Sequence, residues 1–277
     1  MRASTFLAIA TGSLALLVAA CGGDDPVEAI PLPEAAPPTE PAPAADPPAA
    51  AEVDPPSAQP IALDQPGARE TVTLSIAGND LQLTVVLPDD FISGETRPIL
   101  LALPPGGQGQ PEVDFGLDTY WAAEAQSRGW IVVSPVAPEG TLFFQGSEAL
   151  VPELLDTIEA TYPPEGGRFH IAGISNGGLS SFRVAVEFPE RFASVVTLPG
   201  FAPTADDVAR LGGLAEIPVR MFVGETDTSW VEAAEQAREA LEALGGDVEL
   251  TIAPGEGHII RSLTGAELFD LLDAARS

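Results

Sequence analysis

Residues 168–181 read RFHIAGISNGGLSS. The apolar run Phe169 to Gly173 has the look of a short buried strand, and the stretch from Asn176 onward has helical periodicity. Between them Gly173 and Gly177 flank Ser175 in a G-x-S-x-G pattern. A strand that turns this abruptly into a helix needs residues without side chains where the two backbones nearly touch, and it forces the central residue into strained geometry. Ser175 is then held out of the sheet with a helix N-terminus behind it. That end of the helix favours a developing negative charge, and the Asn176 N–H points toward it. Ser175 is thus a candidate nucleophile. A serine hydroxyl is weak at neutral pH, so a base, an acid and a second oxyanion donor must lie elsewhere in the chain.

Working outward, Thr71 to Ile76 alternates, Ala77 to Asp80 turns, and Leu81 to Leu87 returns, which predicts a hairpin. Strand-like runs follow at Pro98–Leu103, Trp130–Ser134, Phe169–Gly173, Ala193–Leu198, Pro218–Val223 and Val248–Ile252, several of them apolar on both faces. Helical patterns lie between them near 116–127, 147–161, 176–187, 204–212 and 229–244, with a last one near 264–275. Ser229 is placed to cap the fifth, and Gly245-Gly246 to end it. The expected fold class is α/β: a mostly parallel sheet with an N-terminal antiparallel hairpin and helices on both faces. Sites in such sheets sit at the carboxyl ends of the strands.

That rule sorts the candidates. Of two histidines, His170 lies inside the Ser175 strand and reads as a packed sheet residue, whereas His258 follows the last strand in a glycine-rich loop, APGEGH, and is the candidate base. Beyond the strand PVRMFV stand Glu225 and Asp227; Asp227 is the first choice for the acid that orients the imidazole, with Glu225 behind it. After the third strand, LALPPGGQGQ offers the backbone N–H of Gly107, with Gln108 close behind, as the second oxyanion donor beside Asn176. No metal or cofactor is called for. Between Ser175 and Asp227 there is room for only a helix, a strand and a short helix, which leaves no place for a large cap domain and predicts an open site. Its candidate substrate-lining residues are Phe143 and Phe144 in GTLFFQG and Trp230 beside the acid loop, with Tyr120 and Trp121 as further aromatics.

The order Ser175, Asp227, His258 and the strand–turn–helix around the serine resemble the α/β-hydrolase superfamily over residues 71–277. Within it, RFHIAGISNGGLSSFRVAVEFPERFASVVTLPGF is similar to secreted esterases of the polyhydroxybutyrate depolymerase and feruloyl esterase type, sharing S-N-G-G and the Pro-Glu-Arg-Phe stretch. The resemblance implies an α/β-hydrolase fold and ester hydrolysis through an acyl-enzyme, with Ser175, Asp227 and His258 as triad. The chain departs from that group in two ways. Pro105-Gly106 stands where His-Gly is usual, and the group's cysteines are missing.

The beginning of the chain is a different material. Arg2 precedes an apolar run, Phe6 to Val18, that ends in Val18-Ala19-Ala20-Cys21. Small residues before a cysteine resemble the bacterial lipobox, which implies a signal peptide over 1–20 and lipidation of Cys21; the alternative is an ordinary secretory signal with a chance cysteine. Cys21 is the one cysteine in the chain; with it lipidated the mature chain has no free thiol, and disulfides, cysteine-ligated metals and cysteine nucleophiles are excluded. Residues 21–66 are dominated by Pro, Ala, Asp and Glu and read as an extended, disordered tether, or alternatively as a proline-motif ligand. Residues 67–277 form the expected catalytic domain.

Every basic residue is Arg, the net charge is −29 and the pI is near 4.1. Nothing here neutralises phosphates, so nucleic acid is excluded as a partner. The expected partners are a small-molecule or oligomeric ester substrate and, through the lipid on Cys21, a membrane. The expected location is the bacterial cell envelope, facing the periplasm or exterior. The expected function is that of a serine esterase. The alternatives are an envelope peptidase or acyltransferase using the same triad, or a non-catalytic binding lipoprotein on the same fold.

Overall fold

Ala77 and Gly78 both take positive φ, 48° and 77°, which is the turn that suits the right-handed twist of a two-strand hairpin. It joins β1 (Arg69–Ile76) to β2 (Asn79–Val86) at the edge of an eight-stranded sheet. The computed structural model describes residues 61–276. The expected signal peptide, Cys21 and most of the expected tether lie outside them.

The remaining strands are β3 (Ile99–Leu103), β4 (Ile131–Pro135), β5 (Phe169–Ile174), β6 (Phe192–Leu198), β7 (Val219–Gly224) and β8 (Val248–Ala253). They lie in the order β1-β2-β4-β3-β5-β6-β7-β8. β2 runs antiparallel to β1 and β4, and every pair from β4 to β8 is parallel. This is the α/β-hydrolase fold.

Every residue of β3, β4, β5 and β6 is buried, because successive side chains enter two different cores. Ile99, Leu101 and Leu103 join Ile131, Val133, Phe169 and Ile171 on one face. Leu100 and Ala102 join Val132, Ala172 and Ile174 on the other. The first face is covered by α3 (Val151–Thr161), α4 (Asn176–Glu187) and α6 (Thr228–Ala243). The second is covered by α1 (Gln110–Gly116), α2 (Ala122–Arg128) and α7 (Gly265–Ala274). Between β6 and β7 the chain makes only α5 (Ala205–Arg210) and a 3-10 turn, Leu211–Leu214. No cap domain is inserted there.

Two boundaries differ from the sequence expectation. The helix expected near 116–127 starts at Gln110 and passes through a π-helical stretch, Leu117–Trp121, before α2. Gly109 and Pro111 read as a turn in sequence, but Pro is at home in a first helical turn, and Gly109 N–H is capped by Glu112 Oε2 at 3.1 Å. The packed domain also begins before residue 67. Ile61 and Leu63 are buried; Ile61 N–H donates to Thr161 Oγ1 (3.2 Å), and the Tyr162 hydroxyl donates to Leu63 O (2.8 Å). The expected tether therefore ends no later than residue 60.

His170 is the sheet histidine the sequence suggests. It is buried against the Trp130 ring at 4.8 Å, with Nδ1 2.7 Å from Ser194 Oγ, and burial pushes its pKa down to about 4. The unfolded value is about 6.5, so between the two the unfolded chain binds the extra proton. The stabilisation is complete above the unfolded value and is lost as pH falls through 6.5 toward the folded value, about 3 kcal/mol in all. Urea unfolding of wild type and His170→Gln at pH 7 and pH 4 checks this: the wild type should lose about 3 kcal/mol more than the variant.

Candidate active site

Ser175 sits at φ 56°, ψ −119°, between the end of β5 and the start of α4. The neighbouring glycines explain why the chain can turn there. A Cβ on Gly173 would lie 2.0 Å from Gly177 O, and one on Gly177 would lie 2.1 Å from Leu103 O. Ser175 N–H is tied to Leu198 O at 3.1 Å, so the turn is held from both β5 and β6.

His258 spans the two other candidates. Its Nε2 is 2.7 Å from Ser175 Oγ, and its Nδ1 is 2.6 Å from Asp227 Oδ2. Asp227 is at the N-cap position of α6, yet its side chain caps nothing and is turned to the imidazole instead. The helix begins at Thr228, ahead of Ser229, so Ser229 lies in its first turn and is not the cap the sequence suggests. Glu225 does not reach the imidazole and steadies the neighbouring loop, where its Oε2 accepts from Gly255 N–H at 2.7 Å. The His258 loop is clamped further. Glu256 O accepts from Thr226 N–H (2.9 Å) and Thr226 Oγ1 (2.8 Å), and the Tyr120 hydroxyl donates to Ile260 O at 3.1 Å. Hydrogen bonds from Ser262 and Arg261 hold the Glu256 carboxyl below its usual range. A proton leaving Ser175 Oγ has Nε2 within reach, and Nδ1–H bonded to Asp227 leaves the Nε2 lone pair free to take it.

Across Ser175 lies the loop after β3. Asn176 Nδ2 donates to Gly106 O at 2.8 Å, which joins this loop to the first turn of α4. Among the described residues the backbone N–H groups of Asn176 and Gly107 have no acceptor. Gln108, the other candidate donor, is a correction: its N–H already bonds Pro105 O at 2.9 Å. Gln108 is instead a buried staple at φ 55°. Its Nε2 donates to Ser180 Oγ (2.9 Å), its Oε1 accepts from Phe143 N–H (2.9 Å), and its carbonyl accepts from Ala137 N–H (2.8 Å). Gln108→Ala should cost about 2–3 kcal/mol, because it strands the buried Phe143 N–H. By loosening Gly107 it should also lower kcat roughly 10- to 100-fold. Denaturant melts and steady-state kinetics on the same preparation check both.

The aromatic candidates divide. The Trp230 ring packs on the His258 imidazole, centroids 4.8 Å apart. Phe143 does not line the site; its side chain is fully buried in the core under α3, because Gln108 holds its backbone inward. Phe144 is half-buried on the same segment. Tyr120 and Trp121 are core residues, packed with Phe269 under α7. One residue escaped the sequence reading: Phe201, whose ring is 5.0 Å from that of Trp230. Its position just beyond β6 is the signal that could have found it. A hollow of about 420 Å³ opens beside His258, lined by Gly255 to Ile259 and Arg261.

Comparisons with known proteins give a family and a shared fold. The Esterase family, described as "Putative esterase", matches residues 97–257, a span that contains Ser175 and Asp227 and ends one residue before His258. "Putative esterase NocK" of Nocardia uniformis subsp. tsuyamanensis is 30% identical over 232 residues, 78% of this chain; the match spans 62% of that protein's length. An S-formylglutathione hydrolase from Agrobacterium tumefaciens shares the fold at 19% identity and TM-score 0.59, covering 79% of this chain and 97% of that one. FphF, a fluorophosphonate-binding serine hydrolase of Staphylococcus aureus, does so at 17% identity and TM-score 0.60, covering 76% and 99%.

Proposed function

The chain belongs to the Esterase family; on that premise we propose that it is a hydrolase acting on esters, that Ser175, His258 and Asp227 are its catalytic triad and that it cleaves carboxylic esters through an acyl-enzyme. The observation that carries the reading is His258 bridging Ser175 Oγ and Asp227 Oδ2 at 2.7 and 2.6 Å. Ser175 Oγ attacks the ester carbonyl carbon as its proton passes to His258 Nε2. Asp227 fixes the tautomer and stabilises the imidazolium. The carbonyl oxygen, now an oxyanion, is met by the Asn176 and Gly107 N–H groups. The tetrahedral centre collapses, the bond to the leaving oxygen breaks, and His258 gives that oxygen its proton. Water, deprotonated by His258, then attacks the acyl-serine. Its tetrahedral intermediate collapses, the bond to Ser175 Oγ breaks as His258 returns its proton to that oxygen, and the acid is released.

The His258 side chain keeps 39% of its surface exposed, which gives water access and favours hydrolysis over acyl transfer. Likeness in the 168–201 stretch supports an enzyme of the depolymerase and feruloyl esterase type. The lipobox-like residues before Cys21 support an anchor that holds the domain at the envelope membrane. Among the described residues no helix is long and apolar enough to cross one.

The test is covalent. The domain from residue 61 onward is incubated with a fluorophosphonate and its intact mass measured. One adduct on the wild type and none on Ser175→Ala, with p-nitrophenyl acetate turnover in the first only, is the expected result. A folded wild type with neither adduct nor turnover would overturn the triad and favour a binding protein.

A further inference from the structure

α6 leaves the site carrying Trp230, Ala233, Ala237 and Ala240 at spacings of three and four, one stripe along the helix. Facing the stripe is Val208 of α5, exposed by 46% although it is a branched apolar residue. The three alanines and Val208, with Phe201 and Gln236, line a trough of about 210 Å³. The alanines leave the space open, and no charged residue lines it, on a chain whose net charge is −29. From Trp230 to Ala240 the stripe is about 15 Å long at 1.5 Å per residue. Two half-buried rings bridge its head to the catalytic centre: Phe201, which lines the trough, meets Trp230 edge to face at 5.0 Å, and Trp230 meets His258 in the same way at 4.8 Å.

We propose that this trough between α5 and α6 binds a linear alkyl chain of the ester substrate, so that the enzyme selects esters with an extended aliphatic arm. The inference rests on the esterase reading of Ser175 and His258 and names the substrate class of that site. A narrow, alanine-floored, uncharged channel suits methylene groups, each of which gains affinity on leaving water. His258 hands its proton to the departing alcohol, and Trp230 packs against His258. The arm in the trough is therefore the alcohol's alkyl chain.

Two ester series distinguish the arms: acetates of ethanol, butanol, hexanol and octanol, and p-nitrophenyl acetate, butyrate, hexanoate and octanoate. In the series that uses the trough, kcat/KM should rise about three- to fourfold per added methylene until the channel is filled. Ala233→Phe, which blocks the channel, and Val208→Asp, which charges it from the other helix, should each cut the octyl-to-ethyl ratio at least tenfold. A slope in the p-nitrophenyl series alone, flattened by the same variants, puts the acyl chain there and keeps the trough.

A second readout does not need turnover. In Ser175→Ala, 1-octanol should shift the tryptophan emission, because Trp121 and Trp130 are buried in the other core while Trp230 packs on Phe201, which lines the trough. Ala233→Phe should abolish that shift. If octanol binds but no ester is cleaved by the wild type, the hydrolase reading fails and the trough stands. Chain-length ratios indifferent to both variants, with no octanol response, would overturn the proposal and leave the trough to a protein partner.

Discussion

Ser175→Ala and His258→Ala should each lower kcat by about 10⁴-fold or more, and the double variant should lose no more than the worse of the two. The reason is geometric. His258 Nε2 lies 2.7 Å from Ser175 Oγ, and either loss disables the same proton transfer. What survives is binding and the oxyanion site, which act without the nucleophile. Asp227→Asn should cost roughly 10⁴, because an amide opposite Nδ1 favours the wrong imidazole tautomer. Glu225→Gln should do far less to kcat, since Glu225 holds Gly255 N–H and leaves the imidazole to Asp227. Steady-state release of p-nitrophenol from the five variants, each shown to be folded by circular dichroism, decides the matter. If Glu225→Gln were the crippled one, the acid assigned above would be wrong.

Gly177→Ala should unfold the domain or cost it more than about 4 kcal/mol. An added Cβ would lie 2.1 Å from Leu103 O and 2.7 Å from Leu103 C. Those are backbone atoms of a strand hydrogen-bonded on both sides, to β4 and β5, so the strand cannot yield. The helix cannot yield either. Gly178 packs against Pro199 O with the same closeness, 2.1 Å for a built Cβ. The control is Gly212→Ala, where a Cβ meets nothing within 4 Å; its effect should stay within about 0.5 kcal/mol. Thermal melts of the two variants beside wild type give the comparison. A Gly177→Ala protein melting with the wild type would mean that strand and helix are not in contact as described.

The order of elements was legible because central parallel strands bury both faces, and continuous apolar runs such as PILLAL and WIVVS have few other uses. The strand-end rule then located Ser175, Asp227 and His258, whose roles need specific residue types in specific loops. Other features stayed hidden for physical reasons. Phe143 is indistinguishable in sequence from a lining aromatic, because what buries it is a hydrogen bond from its backbone to Gln108, distant in the chain. The Gln108 N–H looked free, but a turn with positive φ at Gly106 spends it on Pro105 O, and the glycine pair alone does not say which turn forms. Ile61 and Leu63 were lost in proline-rich surroundings, and only the groove beside α3 gives that apolar pair a reason to pack. Phe201 fell within the strand-end rule, but a Pro-Gly-Phe turn carries no chemistry that would single it out.

The backbone at Ser175, φ 56° and ψ −119°, belongs to a region that residues with a Cβ avoid, at a cost of order 1–3 kcal/mol. Glycine would rest there at ease, so the most robust version of this fold is one that has lost the proposed nucleophile. Selecting this chain for heat resistance alone would push toward inactivity at that one codon. Evolution for durability and evolution for turnover therefore pull residue 175 in opposite directions, and any stabilised variant must draw its gains from other sites.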